Sequence, residues 1–349
     1  MSRAGFTDCR ALIEGLREPT LVAGGDGRVL LGNAAARKLL GEQVEGAMVA
    51  EAIAHPAASE WLQRGEAGAA DEVELTALAG SRRHWLMRMT ALGEGAMLIR
   101  LIDRSEAHAA EQMRVDFVAN ASHELRTPLA TLIGYTETLR DAADELDAET
   151  RDRFLSIVDD EAHRMQSVVE DLISLSRIEA ERFTTPTAAI ALPPLIARAT
   201  DQNRRSAAKR GSALDVRIDD DLPDVAADAG QILQLLDNLI TNALRYGAPG
   251  TPVSVSAARE GAMVHLAIAD QGEGIAREHI KRVTERFYRV DTSRSRSLGG
   301  TGLGLSIVKH IVERHRGRLS IDSKVGIGTT VHVLLPIAEP RCSQEMPAS

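Results

Sequence analysis

Four groups of residues in this chain have types and spacings suited to chemistry. His123 stands beside Glu124. A neutral imidazole offers a nitrogen lone pair to an electrophile, and an adjacent carboxylate can take the proton it sheds. Asn238 and Asn242 lie four residues apart and share one helix face, where asparagine is ordinarily a solvated surface residue. Asp270-Gln-Gly-Glu-Gly-Ile275 follows an apolar strand. A carboxylate there can accept from an adenine amino group while Gly272 and Gly274 let backbone approach the ring or take positive φ; alone, the pattern is more often a turn. Gly299-Gly-Thr-Gly-Leu-Gly-Leu305 opens a helix expected to run to about His315. Glycine-rich backbone at a helix N-terminus presents unpaired N–H groups and partial positive charge, a ready phosphate site. No Gly-Lys-Ser/Thr follows and no βαβ unit surrounds it, so it is neither a Walker loop nor a dinucleotide fingerprint.

The elements that must position these groups follow from apolar periodicity. Val118, Ala121, Leu125, Leu129, Leu132 and Leu139 predict an amphipathic helix ending near Asp141, with His123 off its stripe. Pro128 cannot donate to the Glu124 carbonyl and crowds it, so either the helix kinks just past His123 or Thr127 caps a fresh helix starting at Pro128. Polar residues Asp144 to Glu149 turn the chain into a second helix. There Val158, Met165, Val168, Leu172 and Leu175 keep heptad-like spacing and Glu161 interrupts the seam. Such a hairpin has an apolar stripe too wide to leave bare; a dimeric four-helix bundle covers it, and packing on another domain is the alternative. After a break at Thr184 to Ala189 come a helix from Leu192 to Ala208, a strand from Leu214 to Ile218, and a helix capped by Asp228. The last buries Ile232, Leu235, Leu236, Leu239, Ile240 and Ala243. Upstream, Leu21–Ala23, Val29–Leu31, Glu72–Leu78, Trp85–Met89 and Met97–Ile102 read as strands, with a helix capped by Asn33 after the second. That pattern predicts an α+β domain.

The run Ser122-His-Glu-Leu-Arg-Thr-Pro-Leu129 resembles the H-box of the sensor histidine kinases of two-component systems. The resemblance implies that His123 is the phosphoacceptor, Glu124 its acid/base partner and Thr127 a participant in dephosphorylating a response regulator. Asn238-Leu-Ile-Thr-Asn-Ala-Leu-Arg-Tyr246 resembles the N-box. It implies Mg²⁺ on the Asn242 amide oxygen, a hard neutral donor, with Asn238 on the phosphate side and Arg245 and Tyr246 bordering the nucleotide. Asp270 to Ile275 resembles the G1 box, in which Asp270 reads adenine among Gly272, Gly274 and Ile275. Glu285-Arg-Phe-Tyr-Arg-Val-Asp291 resembles the F-box, placing Phe287 by the nucleotide and Arg289 among the charge-neutralising groups, with Thr292 to Leu298 as a lid over ATP. Gly300, Thr301, Gly302, Leu303, Gly304 and Leu305 look like the G2 box, and Gly326-Ile-Gly-Thr-Thr330, with Thr329, completes the set. The N-terminal region resembles a PAS sensor domain through Glu18-Pro-Thr-Leu-Val-Ala, Asn33-Ala-Ala and Ile102-Asp-Arg.

The implied architecture is an α+β multidomain chain. It comprises a PAS-like antiparallel sheet domain at 8–104, a dimeric helical-hairpin phosphotransfer domain at 105–183, an α/β-sandwich ATP-binding domain of the histidine kinase, gyrase and chaperone type at 187–338, and a disordered tail at 339–349. The implied activity is ATP- and Mg²⁺-dependent autophosphorylation on His123, transfer to an aspartate of a cognate response regulator, and dephosphorylation of that regulator. Phe117-Val-Ala-Asn-Ala-Ser-His and Thr284-Glu-Arg-Phe-Tyr-Arg-Val-Asp are similar to the phosphate-regulon sensor group, which implies phosphate starvation as the setting. A related ATP hydrolase would carry a glutamate base four residues before the Mg²⁺ asparagine; Asn238 stands there and cannot deprotonate water. A scaffold without activity has no need of Asn242, Asp270 and the glycine loop together.

Composition narrows the remainder. With 44% hydrophobic and 26% charged residues the chain reads as ordinary globular protein, and 3% aromatics make its cores aliphatic. A formal charge of −9 argues against a nucleic-acid surface. Cys9 and Cys342 are too few and too far apart for a disulfide framework. No apolar run of membrane-spanning length occurs, so a cytoplasmic protein is expected, its input arising there or through another protein such as a membrane-bound partner. His55, His84 and His108 carry no cofactor signature and are expected to be surface residues.

Overall fold

The computed structural model describes residues 10–64, 71–81, 83–93, 95–142, 146–181, 183–290 and 300–338. Contacts divide the chain into two compact units, Met1–Asp116 and Phe117–Ser349. The expected lid at Thr292 to Leu298 and the expected tail at 339–349 lie outside the described residues.

In the first unit, β1 (Thr20–Ala23), β2 (Val29–Gly32), β3 (Asp71–Thr76), β4 (His84–Gly93) and β5 (Ala96–Asp103) form an antiparallel sheet in the order β2-β1-β5-β4-β3. Helices α1 (Ala34–Leu40), α2 (Val49–Ala52) and α3 (Pro56–Arg64) are inserted after the second strand, as the pattern predicted. Leu21, Ile53, Leu75, Met87, Ile99 and Leu101 are fully buried between sheet and helices. Asn33 does more than cap α1: its buried side chain accepts from Thr20 N–H at 3.0 Å and Ala36 N–H at 2.9 Å and donates to the Glu18 carbonyl at 2.8 Å. A buried amide is stable only when so satisfied, and this one ties the chain entering β1 to the start of the helix.

The long helix α4 (Ser105–Asp141) carries His123. It is continuous through Pro128, so the expectation of a fresh helix capped by Thr127 does not hold. Thr127 instead turns its hydroxyl back to the His123 carbonyl at 3.3 Å, and Pro128 is buried. α5 (Ala148–Ala180) opens on Asp147, whose carboxylate accepts from Thr150 N–H at 2.7 Å. Along it Val168 and Leu175 are buried, and the Glu161 that interrupts the seam is answered by Arg164 at 3.8 Å.

The rest of the second unit is a helix layer on a sheet. β6 (Ala189–Ile190) pairs with β8 (Val225–Ala226), while β7 (Leu214–Ile218), β9 (Val253–Glu260), β10 (Met263–Asp270), β11 (Arg318–Lys324) and β12 (Gly328–Pro336) form a sheet ordered β11-β12-β10-β9-β7. Only β7 against β9 is parallel among these pairs. Alternation along β9 and β10 sends Val253, Val255, Ala257, Val264, Leu266 and Ile268 into one core with α6 (Leu192–Lys209), α7 (Ala229–Tyr246) and α9 (Gly304–Arg314). The short α8 (Arg277–Ile280) precedes the F-box segment. Leu175 and Ile178 of α5 belong to that same core, so the hairpin is packed on the sheet-and-helix module. Among the described residues no helix is long and apolar enough to cross a membrane.

Candidate active site

α7 folds where it does because Asp228 caps it, accepting from Gln231 N–H at 3.0 Å, and because its apolar residues return every three or four positions. All six of the residues expected on its buried face are buried. Asn238 and Asn242 emerge on another face, and both meet the start of α9: a Cβ on Gly304 would lie 2.9 Å from Asn238 Oδ1 and 3.6 Å from Asn242 Nδ2. The asparagines and the glycine loop, some sixty residues apart in sequence, thus form one surface. Gly302, with φ of +74°, turns the loop into α9 in a conformation that side chains resist. The loop is held by Phe287, whose N–H donates to the Gly302 carbonyl at 2.8 Å. Phe287 itself has φ of +60°, rare for a bulky residue, and its ring lies 5.9 Å from that of Phe117. Gly300 and Leu303 are buried, while Thr301 and Leu305 are half-buried.

At the other edge, Asp270 ends β10. Its Oδ1 accepts from Gly272 N–H at 2.9 Å. Burial pushes the carboxyl above the usual range, opposed by hydrogen bonds from the backbone of Gly272 and Thr329. Gly274 takes φ of +68°, and Ile275 N–H donates to Ser323 Oγ at 2.7 Å. Ser323 Oγ also lies 2.8 Å from Thr329 Oγ1. Ser323 stands in an alternating strand, where a serine carries no sequence signal of such a contact. Gly247, directly after Tyr246, bridges to Gly272, which brings the end of α7 against the Asp270 turn. Tyr246 is exposed and Arg245 half-buried.

His123 is exposed on α4 and Glu124 is half-buried. Arg289, with a side chain 5% exposed, donates to Glu124 Oε2 at 2.9 Å and to the Gly300 carbonyl. Burial lowers the Arg289 guanidinium from its ordinary value, an effect that Glu124 counters and Arg164 reinforces. Arg164 on α5 is a second partner of Glu124 at 3.4 Å. Thr301 Oγ1 donates to Asp171 Oδ2 at 2.8 Å, and burial raises the Asp171 carboxyl, with the Thr301 hydrogen bond and the Arg245 charge opposing. Neither Arg164 nor Asp171 was foreseen, because a charge on a helix surface announces its partner only when that partner is three or four residues away.

Residues of types fit for phosphate therefore converge: the backbone at the start of α9, the Thr301 hydroxyl, Arg289 and two amides. Among the described residues no group of three or more His, Cys, Asp or Glu could hold a metal ion. The Asn242 amide oxygen is a hard neutral donor of the kind that suits a divalent cation already carried by phosphates. Of the N-terminal histidines, His84 and His108 stack with centroids 3.7 Å apart, and His55 Nδ1 takes the Ala57 N–H at 3.2 Å.

Residues 113–181 match the His Kinase A (phospho-acceptor) domain family, and residues 227–339 match the histidine kinase-, DNA gyrase B-, and HSP90-like ATPase family. Phosphate regulon sensor protein PhoR of Pseudomonas aeruginosa is 34% identical over 320 residues, which cover 90% of this chain and 71% of PhoR. Sensor-like histidine kinase SenX3 of Mycobacterium tuberculosis is 40% identical over 238 residues, 67% of this chain and 56% of SenX3. The solved structure of histidine kinase ThkA in complex with response regulator protein TrrA is similar in fold, with a TM-score of 0.51 at 19% identity over 94% of this chain and 98% of that one. The phosphoacceptor match encloses His123 and the ATPase match encloses Asn242, Asp270 and the glycine loop, and on these findings the chain belongs to the sensor histidine kinases of two-component systems, ATP-dependent protein-histidine kinases.

Proposed function

We propose that Mg·ATP binds between α7, the Asp270 turn and the glycine loop, and that its γ-phosphoryl group passes to His123. The observation that carries this reading is the Arg289–Glu124 contact, which joins the rim of the glycine loop to the histidine helix across 165 positions of sequence. Phosphoryl transfer demands positioning and charge neutralisation more than covalent help. Asp270 orients the adenine, the backbone N–H groups of the loop and Arg289 face the phosphates, and Asn242 holds Mg²⁺, which when bound neutralises phosphate charge. A ring nitrogen of His123 bonds to the γ-phosphorus as the bond to the ADP oxygen breaks, and Glu124 accepts the ring proton. Glu124 is occupied by Arg289 and Arg164, so Arg289 must exchange the carboxylate for phosphate before Glu124 can act.

Phosphohistidine then supplies its phosphoryl group to an aspartate of a cognate response regulator, with Thr127, exposed one helical turn after His123, serving the separate reaction in which water cleaves that aspartyl phosphate to aspartate and inorganic phosphate. The hairpin pairs with a second copy of the chain, the antiparallel-sheet unit is a PAS-like sensor, and phosphate limitation is the setting that PhoR suggests. ATP as donor places the work in the cytoplasm. The test is incubation of the purified chain with Mg·ATP labelled at the γ position: alkali-stable, acid-labile label is expected, and its absence under conditions where ATP binds would contradict the reading.

A further inference from the structure

α9, which starts at the glycine loop, packs antiparallel on α7, which carries the two asparagines. Two contacts at opposite ends set how one helix lies on the other. At the loop end, Gly304 meets Asn238 closely enough that a Cβ would stand 2.9 Å from the amide oxygen. At the far end, His315, immediately past α9, is completely buried. Its Nδ1 lies 2.7 Å from the Ile311 carbonyl, and its Nε2 lies 3.0 Å from the backbone N of Asp228, the N-cap of α7. These partners fix the tautomer, since Nδ1–H must donate to the carbonyl and Nε2 must accept the Asp228 N–H.

The two pins are almost equally spaced on both helices. His315 is eleven positions beyond Gly304, and Asn238 is ten beyond Asp228. At about 1.5 Å per residue both spans come to roughly 15–17 Å. A slide of α9 along α7 by a fraction of a turn therefore breaks one pin or the other. Filling the space needs only an apolar side chain; accepting an N–H at the cap needs a lone pair in one place.

We infer that His315 is a positioning residue for phosphoryl transfer: by accepting the Asp228 N–H it holds the glycine-loop N–H groups in register with Asn238 and Asn242. The inference rests on reading those groups as the Mg·ATP site. The adenine end, on Asp270 at the end of β10, lies outside the α7–α9 register, so loss of the pin acts on the phosphate side first.

The test compares His315→Gln with His315→Met in the full chain, because the two side chains have nearly the same length and only glutamine offers a strong acceptor. Autophosphorylation kcat/KM, Mg²⁺ dependence and Mg²⁺-free ADP binding are measured below the melting transition of each variant. His315→Met is expected to lose tenfold or more in kcat/KM and to need more Mg²⁺, with ADP binding within about twofold of the parent. His315→Gln is expected to recover most of the loss. Equal behaviour of the two variants, or parallel loss of ADP binding and turnover in both, overturns the inference. Asn242→Ala is the control: failure of the parent to autophosphorylate, or full activity in that control, indicts the site reading itself, whereas an active parent, a dead control and indistinguishable His315 variants indict the pin alone.

Discussion

Asp270 carries the clearest consequence at the scale of single residues. Its carboxyl is raised by burial, so it protonates at a higher pH than an exposed carboxylate and loses its acceptor earlier on acidification. ATP affinity is expected to fall as the pH is lowered from neutrality into the acidic range, and Asp270→Asn is expected to weaken ATP by tenfold or more at neutral pH, about 1.5–3 kcal/mol for a hydrogen bond to a charged group. Calorimetric titration across pH measures both; a variant that binds like the parent contradicts the assignment. His315 makes the opposite kind of statement. Burial, with the Arg314 charge, lowers its pKa, against the Ile311 carbonyl and Asp228. A base depressed in the folded state binds more protons when unfolded, so its contribution to stability is complete above about pH 6.5 and is lost as the pH falls through the folded value. The melting temperature should decline below about pH 6.5, with a shallower decline in His315→Gln.

Among the elements, the hairpin is the least self-sufficient. Val118, Leu129 and Ile133 on α4 are 55%, 47% and 49% exposed, and Leu155, Val169 and Ile173 on α5 are 50%, 41% and 58% exposed. Each set falls on one face of its helix by its spacing, an apolar face of the kind a second copy covers. Ile133→Glu or Leu155→Glu is expected to raise the dimer dissociation constant at least a hundredfold, because each change occurs twice in a symmetric dimer and each buried aliphatic side chain is worth about 1.5–3 kcal/mol. Sedimentation equilibrium measures it, and unchanged association contradicts this interface. The helices of the second unit were legible because their apolar residues keep a 3.6-residue period, and Asp228 and Asn33 were legible as caps because a cap acts over three residues. The passage of α4 through Pro128 was not legible. Proline's cost in a helix, about 3 kcal/mol, is a local quantity, while the packing that offsets it around a buried Pro128 is tertiary. For the same reason the five motifs could be found one by one, yet the pairing of Arg289 with Glu124 and of Thr301 with Asp171 had no local signature.

At the scale of the whole second unit, the glycine-loop rim is docked on the hairpin through acidic side chains. Asp171 holds Thr301, Glu124 holds Arg289, and Glu179 holds Arg286. Two of these donors, Thr301 and Arg289, are among the groups assigned to the phosphates, so nucleotide and hairpin compete for them. Asp171→Ala is expected to lower the KM for ATP by up to roughly tenfold, the value of one charge-assisted hydrogen bond of about 1.5 kcal/mol; an unchanged or higher KM in steady-state autophosphorylation contradicts that competition. The acceptor is open to the most direct measurement. The parent chain and His123→Gln are given γ-labelled Mg·ATP after both are shown to bind nucleotide. The parent is expected to take label at residue 123 and the variant to take none, while label at the parent level in the variant would contradict the assignment of His123.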